Sequence, residues 1–291
     1  MKINGETKLL GIIGWPVKHS LSPLLHNRAI EEFGLNCVFV PLSVPRKFFK
    51  EAMMGVRALG FTGLSITIPY KNAALKHLDE MSKEASIIGA VNTVLLRKDK
   101  LFGYNTDAYG FSESLRIDAH MDVAGKTVTV IGAGGVSRAI STVCVLNGAS
   151  SINITDIVKN KCAELCKRLS KIESGTRIQQ VYAEDSTLEN AVQKSDILIN
   201  ATPLGMHIDD PLPIPTEFLH PNSLVFDAIY NLENTPILEK AKKMGCKTLN
   251  GLGMLAYQGA FAFEIWTGMR PNVDTMKEAL RDYFSDVHSE K

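Results

Sequence analysis

A lysine that could transfer a proton and an aspartate that could bind a ligand stand near the ends of two predicted strands in the front part of the chain. Lys71 follows Pro69, which ends a strand, and Asp107 follows a hairpin predicted over 91–106. Side chains of these types at strand ends can bind a ligand, and a lysine can also transfer a proton. Hydroxyl and amide residues at comparable positions add to a polar pocket: Ser20, Thr67 and Asn92.

Ser22, Lys71 and Asp107 each have a purely structural explanation as well, which does not extend to Ser20. Ser22-Pro23 predicts a helix start, with Ser22 as the N-cap and Pro23 at the first helical position. Lys71 is predicted in the first turn of a helix, where its charge opposes the helix dipole; a solvated surface lysine is the alternative. Asp107 has the alternative of a plain helix cap. The seven histidines show no metal-ligand spacing, so no metal is expected.

A glycine-rich turn between an apolar strand and a helix provides a second chemical signal. The run TVTVIGAGGVSRAI places Gly132, Gly134 and Gly135 where backbone N–H groups can approach a pyrophosphate. Asp156 ends the next predicted strand, 24 residues after Gly132, where a ribose-binding acid is expected. The combination predicts a dinucleotide site, and with the polar pocket it suggests hydride transfer on a polyhydroxylated small molecule.

Strands and helices alternate around this turn. Such alternation predicts a doubly wound parallel sheet, whose carboxyl strand ends gather ligands. Gly132, Asp156, Thr202 and Tyr230 are therefore expected to point toward one crevice. The predicted strands are 127–132, 151–156, 178–183, 197–202, 224–230 and 246–251.

The front of the chain predicts a second, different α/β domain. Strand-like runs at 9–14, 38–44 and 64–68 alternate with helical segments and precede the hairpin. Two helices are predicted at 254–268 and 273–284, and the first is apolar nearly all round, so we expect it to be buried. The predicted fold class is α/β, with an N-terminal α/β substrate domain at 1–107, a Rossmann-type doubly wound dinucleotide-binding domain at 108–252, and C-terminal helices at 253–291 returning to the first domain.

Composition argues against several other classes of protein. With 291 residues, 45% of them apolar and 22% charged, the chain is typical of a globular protein large enough for two domains. A net charge of +1 argues against nucleic-acid and membrane partners, and no apolar run reaches the roughly 18 residues of a spanning helix. The N-terminus lacks a signal-peptide core, and five cysteines without a C-x-x-C pair fit a reducing cytoplasm.

Taken in order, these segments resemble the shikimate dehydrogenase family, including its quinate/shikimate branch, over essentially the whole chain. GWPVKHSLSP is similar to the family's substrate-binding serine motif, and SITIPYK to its lysine motif. GAVNT and GYNTD are similar to its asparagine and aspartate motifs, and GAGGVSRA to its nucleotide loop. NATPLGM, FDAIY and NGLGMLAYQGAFAF match later family segments in order.

The resemblance implies reversible NAD(P)-linked oxidation of shikimate to 3-dehydroshikimate, a step of aromatic amino-acid biosynthesis. Lys71 and Asp107 would be catalytic and flank the reacting C3 oxygen. The residues implied to bind substrate are Ser20, Ser22, Thr67, Lys71, Asn92, Asp107, Tyr230 and Gln258. The residues implied to bind cofactor are Gly132, Ala133, Gly134, Gly135, Val136, Asp156, Thr202 and Gly253.

Residues 156–158 determine the expected cofactor preference. NADP-using members of the family typically carry an Asn-Arg-Thr run there, whose arginine binds the 2′-phosphate, whereas this chain has Asp156-Ile157-Val158. A carboxylate accepts hydrogen bonds from ribose hydroxyls and repels a 2′-phosphate. NAD is therefore favoured over NADP, with Lys159 and Lys161 able to offset the repulsion only in part.

The sequence leaves several alternatives open. NAD preference is associated with the family branch that oxidises quinate, so quinate is a second candidate substrate. An aminoshikimate dehydrogenase and a non-catalytic ligand sensor are further candidates, although a sensor has no need of Lys71 and Asp107. The expected partner is a small molecule, with no nucleic acid and no membrane, and a monomer and a homodimer are both open.

Overall fold

A computed structural model describes residues 3–182 and 186–289 and divides the chain into two compact units. Unit 1 comprises Met1–Gly110 and Ala256–Lys291, and unit 2 comprises Phe111–Leu255. The chain thus leaves unit 1 and later returns to it. Ala183, the last residue of the strand predicted at 178–183, and the extreme ends of the predicted domains lie outside the described residues.

Helices and strands mostly alternate along the described chain, with short 3-10 turns at Arg46–Phe48, Ala73–His77 and Thr216–Phe218. The helices are α1 (Ser22–Glu32), α2 (Phe49–Ala58), α3 (Lys83–Ile88), α4 (Asp107–Glu113), α5 (Gly135–Leu146), α6 (Lys159–Leu169), α7 (Ser186–Gln193), α8 (Pro236–Lys243), α9 (Leu252–Thr267) and α10 (Val273–Ser289). The strands are β1 (Lys8–Gly14), β2 (Cys37–Ser43), β3 (Gly63–Ile66), β4 (Glu80–Met81), β5 (Thr93–Arg97), β6 (Lys100–Tyr104), β7 (Thr127–Ile131), β8 (Ser151–Thr155), β9 (Arg177–Gln180), β10 (Ile197–Asn200), β11 (Leu224–Asp227) and β12 (Lys247–Leu249). In this part of the chain no helix combines the length and the apolar character needed to cross a bilayer.

Unit 1 contains a mixed sheet with the strand order β2-β1-β3-β5-β6-β4. β1 is parallel to both β2 and β3, whereas β5 is antiparallel to β3 and to β6. The predicted hairpin is the β5–β6 pair, and Lys98 and Asp99 make its turn with positive φ. The two-residue β4 is too short for a sequence pattern to reveal, and it exists through its pairing with β6.

Residues of the tail helices pack on the sheet of unit 1. Trp266 of α9 donates its indole N–H to the Val94 carbonyl at 3.0 Å. A Cβ on Gly63 would lie 2.2 Å from the Trp266 ring, so only glycine allows this close approach of α9 to β3. His26 of α1 is fully buried, with its ring 4.4 Å from Phe39 and 5.0 Å from Trp266 between centroids.

Unit 2 contains the predicted doubly wound sheet. Its strands are all parallel and lie in the order β12-β11-β10-β7-β8-β9. The chain reverses direction across the sheet at β7, whose neighbours are β8 and β10; ligands of such folds gather at this switch point. Both faces of the central strands are covered, so Val128, Val130 and Ile154 are fully buried, and the polar side chains of Thr129 and Asn153 are buried as well.

The predicted N-cap role of Ser22 is wrong. α1 begins at Ser22, and Leu21 is the cap residue, because the Leu25 N–H donates to the Leu21 carbonyl at 3.1 Å. Ser20 Oγ accepts a hydrogen bond from the Ser22 N–H at 3.3 Å, and Pro23 has no N–H to satisfy. The helix start therefore does not need the Ser22 hydroxyl as its cap.

The predicted placement of Lys71 in the first turn of a helix is also wrong. Lys71 lies in a turn, and the next helical element is the 3-10 turn at Ala73–His77. The Lys71 carbonyl accepts a hydrogen bond from the Val91 N–H at 2.8 Å, so it is committed to the entry of β5 rather than to a helix. The helix-dipole argument for this lysine consequently fails.

Candidate active site

The sheet of unit 1 brings its polar strand ends to one edge. β1 and β3 are parallel and end there, whereas the antiparallel β5 begins there and β6 ends there. The register shows this directly, because Ser65 pairs with Thr93 and Thr93 pairs with Tyr104. The segments that leave the sheet at this edge carry Ser20, Ser22, Thr67, Lys71, Asn92 and Asp107.

Lys71, Asn92 and Asp107 form a hydrogen-bonded cluster at that edge. Lys71 Nζ lies 2.5 Å from Asp107 Oδ2, and Asn92 Nδ2 lies 2.8 Å from Asp107 Oδ1. The side chains of Lys71 and Asp107 are 11% and 7% exposed, so water reaches the ion pair only in part. Desolvation offsets most of the attraction within such a pair, which makes stability alone a weak explanation for it.

The hydrogen bonds of Asn105 show whether Asp107 is a plain helix cap or a member of the cluster. Asn105 Oδ1 accepts hydrogen bonds from the N–H groups of Asp107 and Ala108, at 3.1 and 3.3 Å, and so caps α4. The carboxylate of Asp107 therefore serves the cluster, and the plain-cap alternative is wrong. Because Asp107 is the first residue of α4, the helix dipole also favours its negative charge.

Gln258 of α9 joins the cluster within unit 1. Its Oε1 accepts hydrogen bonds from Asn92 Nδ2 and from Thr106 Oγ1, both at 3.3 Å. The Thr106 N–H donates to Asn92 Oδ1 at 2.7 Å, which orients the Asn92 amide toward Asp107. Sequence reasoning did not assign site roles to Asn105, Thr106 or Thr93. The signal that could have found them is the Asn-Thr dipeptide repeated at both ends of the hairpin.

The loop at 15–21, which joins β1 to α1 and carries Ser20, lies beside the loop after β3. The Trp15 N–H donates to the Ile68 carbonyl at 3.0 Å, which joins the two loops. A Cβ on Gly14 would lie 2.5 Å from Thr67 Cγ2, so the end of β1 packs directly against Thr67. The structure thus places the serine-bearing loop and Thr67 at the same edge as the Lys71 cluster.

The glycine turn of unit 2 exposes the start of α5. Gly132 has a φ of +105°, and a Cβ there would lie 2.9 Å from the Ala201 carbonyl oxygen. Gly134 is the N-cap residue of α5 and contributes no capping side chain, and a Cβ on it would meet no protein atom within 4 Å. Gly135 and Val136 follow as the first two residues of the helix. Backbone N–H groups at such a helix start can bind an anionic group.

Asp156 is tied to the glycine turn by its own hydrogen bonds. Its Oδ2 accepts from the Ala133 N–H and its Oδ1 accepts from the Val158 N–H, both at 2.7 Å. These bonds fix the carboxylate beside the turn and leave further lone pairs for hydroxyl donors. Ile157 is fully exposed, and no arginine stands at positions 156–158.

Thr202 also lies against the glycine turn, since its Cγ2 is 3.2 Å from a Cβ built on Gly132. Tyr230 follows the end of β11 and is half-buried. Gly253 lies in the first turn of α9. A Cβ on Gly253 would come within 2.7 Å of Ser114 Oγ, and still nearer to Asp118, so the glycine leaves room for these two side chains.

Three family descriptions match successive parts of the chain. They are the shikimate dehydrogenase substrate binding domain at residues 12–94, the saccharopine dehydrogenase NADP binding domain at 128–209, and the shikimate 5'-dehydrogenase C-terminal domain at 251–281. The first contains Lys71 and Asn92, the second contains the glycine turn, and the third contains Gln258. The match therefore covers both candidate ligand regions.

Individual proteins are similar over nearly the whole length. The shikimate dehydrogenase (NADP(+)) of Methanopyrus kandleri is 38% identical over 285 residues, which cover 97% of this chain and 98% of that protein. A crystal structure of shikimate 5-dehydrogenase from Listeria monocytogenes, in complex with shikimate and NAD, is 36% identical with a TM-score of 0.87, covering 96% of this chain and 98% of that one. Quinate dehydrogenase from Corynebacterium glutamicum, in complex with NAD, is 30% identical with a TM-score of 0.86, covering 95% and 99%.

Proposed function

The chain belongs to the shikimate dehydrogenase family and is an NAD(P)-dependent oxidoreductase, and on that premise we propose that it oxidises shikimate reversibly to 3-dehydroshikimate, with Lys71 and Asp107 as the catalytic pair. The observation that carries this proposal is the Lys71–Asp107 contact of 2.5 Å at the ligand edge of unit 1. The reaction is a step of aromatic amino-acid biosynthesis.

The chemistry of the pair follows from what alcohol oxidation requires. A hydroxyl proton must leave the substrate as a hydride leaves the adjacent carbon, and a bound dinucleotide supplies the hydride acceptor. Lys71 and Asp107 take up the hydroxyl proton and return it to the carbonyl oxygen in the reverse direction. A charge-assisted hydrogen bond from Lys71 Nζ stabilises the negative charge that develops on the substrate oxygen.

The remaining polar residues of the edge orient the substrate. Ser22 supports this role because α1 does not use its hydroxyl as a cap. Gln258 supports it because it is hydrogen-bonded to Asn92, which in turn holds Asp107. The substrate ligands that we propose, beside the catalytic pair, are Ser20, Ser22, Thr67, Asn92, Tyr230 and Gln258.

The start of α5 fits the pyrophosphate of a dinucleotide. A backbone that turns at Gly132 and carries no Cβ at Gly134 lets a phosphate approach the helix N-terminus. The cofactor ligands that we propose are Gly132, Ala133, Gly134, Gly135, Val136, Asp156, Thr202 and Gly253.

We further propose that NAD is preferred over NADP, although the Methanopyrus kandleri relative is named for NADP(+). The support is Asp156, which hydrogen bonds fix beside the glycine turn where it can accept from ribose hydroxyls. A 2′-phosphate there would face this carboxylate without an arginine at 156–158. Lys159, the first residue of α6, lies over the Tyr182 ring at 5.1 Å.

Initial rates with purified protein test both proposals together. The four reactions are the reduction of NAD and of NADP, each with shikimate and with quinate. Shikimate turnover that is faster with NAD supports the substrate and the cofactor assignments. Faster turnover with NADP would overturn the Asp156 argument alone, and no turnover in any combination would overturn the proposed reaction.

Ile157→Arg sharpens the cofactor test because it adds the missing guanidinium at a fully exposed position. A new contact to a 2′-phosphate should raise kcat/KM with NADP by about tenfold, which corresponds to ~1.4 kcal/mol, and leave NAD nearly unchanged. Ile157→Gln is the matched control, since it adds a long polar side chain without charge. Equal changes in both variants would contradict the phosphate explanation.

Quinate is a second candidate substrate on the same residues. The specific observation in its favour is the structural match to the NAD-bound quinate dehydrogenase of Corynebacterium glutamicum. The ratio of kcat/KM for shikimate and quinate, with the preferred cofactor, distinguishes the two.

A further inference from the structure

A fully buried carboxylate lies beneath the ligand edge of unit 2 and takes no part in the proton transfer proposed above. Asp227 is the last residue of β11 and is 0% exposed. It pairs in register with Asn200, the last residue of β10, which in turn pairs with Ile131 of β7. Asp227 therefore lies in the row of residues from which the ligand-edge loops begin.

Three donors from three segments converge on this carboxylate. Asn200 Nδ2 and the Ile229 N–H donate to Asp227 Oδ1 at 3.0 and 3.1 Å, and Thr235 Oγ1 donates to Oδ2 at 2.6 Å. Burial raises the pKa of Asp227 to about 6, and the three hydrogen bonds act in the opposite direction. Since burying a carboxylate is costly, packing alone does not explain an acid in this place.

Asn200 connects the carboxylate by hydrogen bonds to the first of two loops, the one that carries Thr202. Asn200 Oδ1 accepts hydrogen bonds from the N–H and the hydroxyl of Thr202, at 3.1 and 2.7 Å. Asn200 Nδ2 also donates to the Leu204 carbonyl at 3.0 Å. Because Thr202 packs against Gly132, the orientation of the Asn200 amide decides where Thr202 lies beside the glycine turn.

Through the Ile229 N–H, the carboxylate reaches the second loop. The Gly251 N–H donates to the Ile229 carbonyl at 2.9 Å. A Cβ on Gly251 would lie 2.5 Å from the Ala228 carbonyl oxygen, so the turn before α9 packs directly on the backbone at 228–229. That turn leads into Gly253, and the segment after Ile229 carries Tyr230.

We propose that Asp227 is a positioning residue for the dinucleotide site. Its hydrogen bonds fix the position of the Thr202 loop relative to the turn at 250–253. Its carboxylate accepts a hydrogen bond from each of Asn200, Ile229 and Thr235. This inference rests on the proposed function, because the roles of Thr202 and Gly253 toward the dinucleotide belong to it.

Asp227→Ala and Asp227→Asn form the central test. Asp227→Ala removes all three hydrogen bonds and should raise the KM for the dinucleotide about tenfold or more, with a smaller loss in kcat. Asp227→Asn should stay within about threefold of wild type, because its amide oxygen can accept from Asn200 and Ile229 while its amide nitrogen donates to the Thr235 hydroxyl. An unchanged dinucleotide KM in Asp227→Ala would overturn the proposal.

A double-mutant cycle separates positioning from general damage to the fold. If Asp227 acts through Asn200 on Thr202, then Asp227→Ala and Thr202→Val should have less than additive effects on dinucleotide KM. Additive effects would show that Asp227 does not act through Thr202. Should Asp227→Ala fail to fold, Thr235→Val removes one of the three bonds and carries the same cycle, with Thr235→Ser as its hydroxyl-retaining control.

Direct binding keeps this inference distinct from the proposed reaction. Titration of wild type and variants with NADH, followed by nucleotide fluorescence, measures dinucleotide affinity without turnover. Weaker NADH binding in Asp227→Ala, together with retained binding in Asp227→Asn, supports the proposal even for a protein that does not oxidise shikimate. Equal NADH affinity in both variants would overturn it whatever the substrate.

Discussion

The helices α4 and α5 both begin at a ligand edge, but their first turns are used in opposite ways. At α4 the side chain of Asn105 takes the first N–H groups, and the carboxylate of Asp107 is left to bond Lys71 and Asn92. At α5 the cap residue is Gly134, which has no side chain, so the N–H groups themselves face outward. Unit 1 therefore offers side-chain chemistry at its edge, and unit 2 offers backbone chemistry.

This difference determines how each unit should respond to substitution. A proton-transfer site depends on the identity of a few side chains, because each supplies a distinct group. A phosphate-binding turn depends on backbone conformation and on empty space, so the important residues are those that lack a Cβ. Two predictions separate these cases, and a third compares one buried titratable group in each unit.

The largest expected effect is the loss of Lys71. Lys71→Ala removes the cation that touches Asp107 Oδ2 and should lower kcat by about 10²- to 10⁴-fold, with little change in shikimate binding. Lys76→Ala, on the exposed face of the neighbouring 3-10 turn, is the matched control and should behave as wild type. A near-normal kcat in Lys71→Ala would show that Lys71 does not transfer the proton, and would contradict the assignment of side-chain chemistry to unit 1.

An alanine pair in the glycine turn gives the next largest effect. At Gly132 the positive φ and the contact with the Ala201 carbonyl should make Gly132→Ala cost about 1–3 kcal/mol of folding stability. At Gly134 nothing obstructs a Cβ, so Gly134→Ala should leave stability within about 0.5 kcal/mol and raise dinucleotide KM about tenfold. Thermal unfolding and steady-state kinetics measure the two effects. Normal dinucleotide KM in Gly134→Ala would contradict the use of this turn for phosphate.

The smallest effect concerns two buried titratable groups, one in each unit. His26 is stacked among aromatic rings, and within the described residues neither ring nitrogen has a hydrogen-bond partner; burial lowers its pKa from 6.5 to about 3. Asp227 has three partners, yet burial raises its pKa from 3.8 to about 6. As pH falls, His26 is therefore protonated at a higher pH in the unfolded chain than in the folded chain. Asp227 is protonated at a higher pH in the folded chain.

The two groups therefore change stability with opposite signs. His26 contributes stability that is present above pH 6.5 and is lost as pH falls toward 3, by about 1.4 kcal/mol per pH unit. Asp227 contributes stability that is present below pH 3.8 and is lost as pH rises toward 6. Between pH 7 and 5, the free energy of unfolding of His26→Leu, measured with denaturant, should fall less with decreasing pH than that of wild type. His19→Leu, at an exposed position, is the control, and identical slopes in wild type and His26→Leu would refute this account.

Much of the fold was predictable because local patterns carry it. Apolar runs followed by turn residues located the six strands of unit 2, and the glycine turn identified the strand at the switch point. The strand predicted at 178–183 is shorter in the structure, at Arg177–Gln180, since its end depends on pairing with β8 rather than on residue type. The tail helix was predicted to be buried because it is apolar on all sides.

What the sequence by itself determined is the set of groups available and the edge to which strand order brings them: a lysine, an aspartate and amides after strands, and glycines before a helix. Only the tertiary structure decided how these groups are used. It assigned the cap of α4 to Asn105, joined Gln258 to Asn92 across 166 residues of chain, and committed the Lys71 carbonyl to Val91. The physical reason is that several donors compete for each acceptor. A sequence shows which groups compete, but not which of them come within hydrogen-bonding distance.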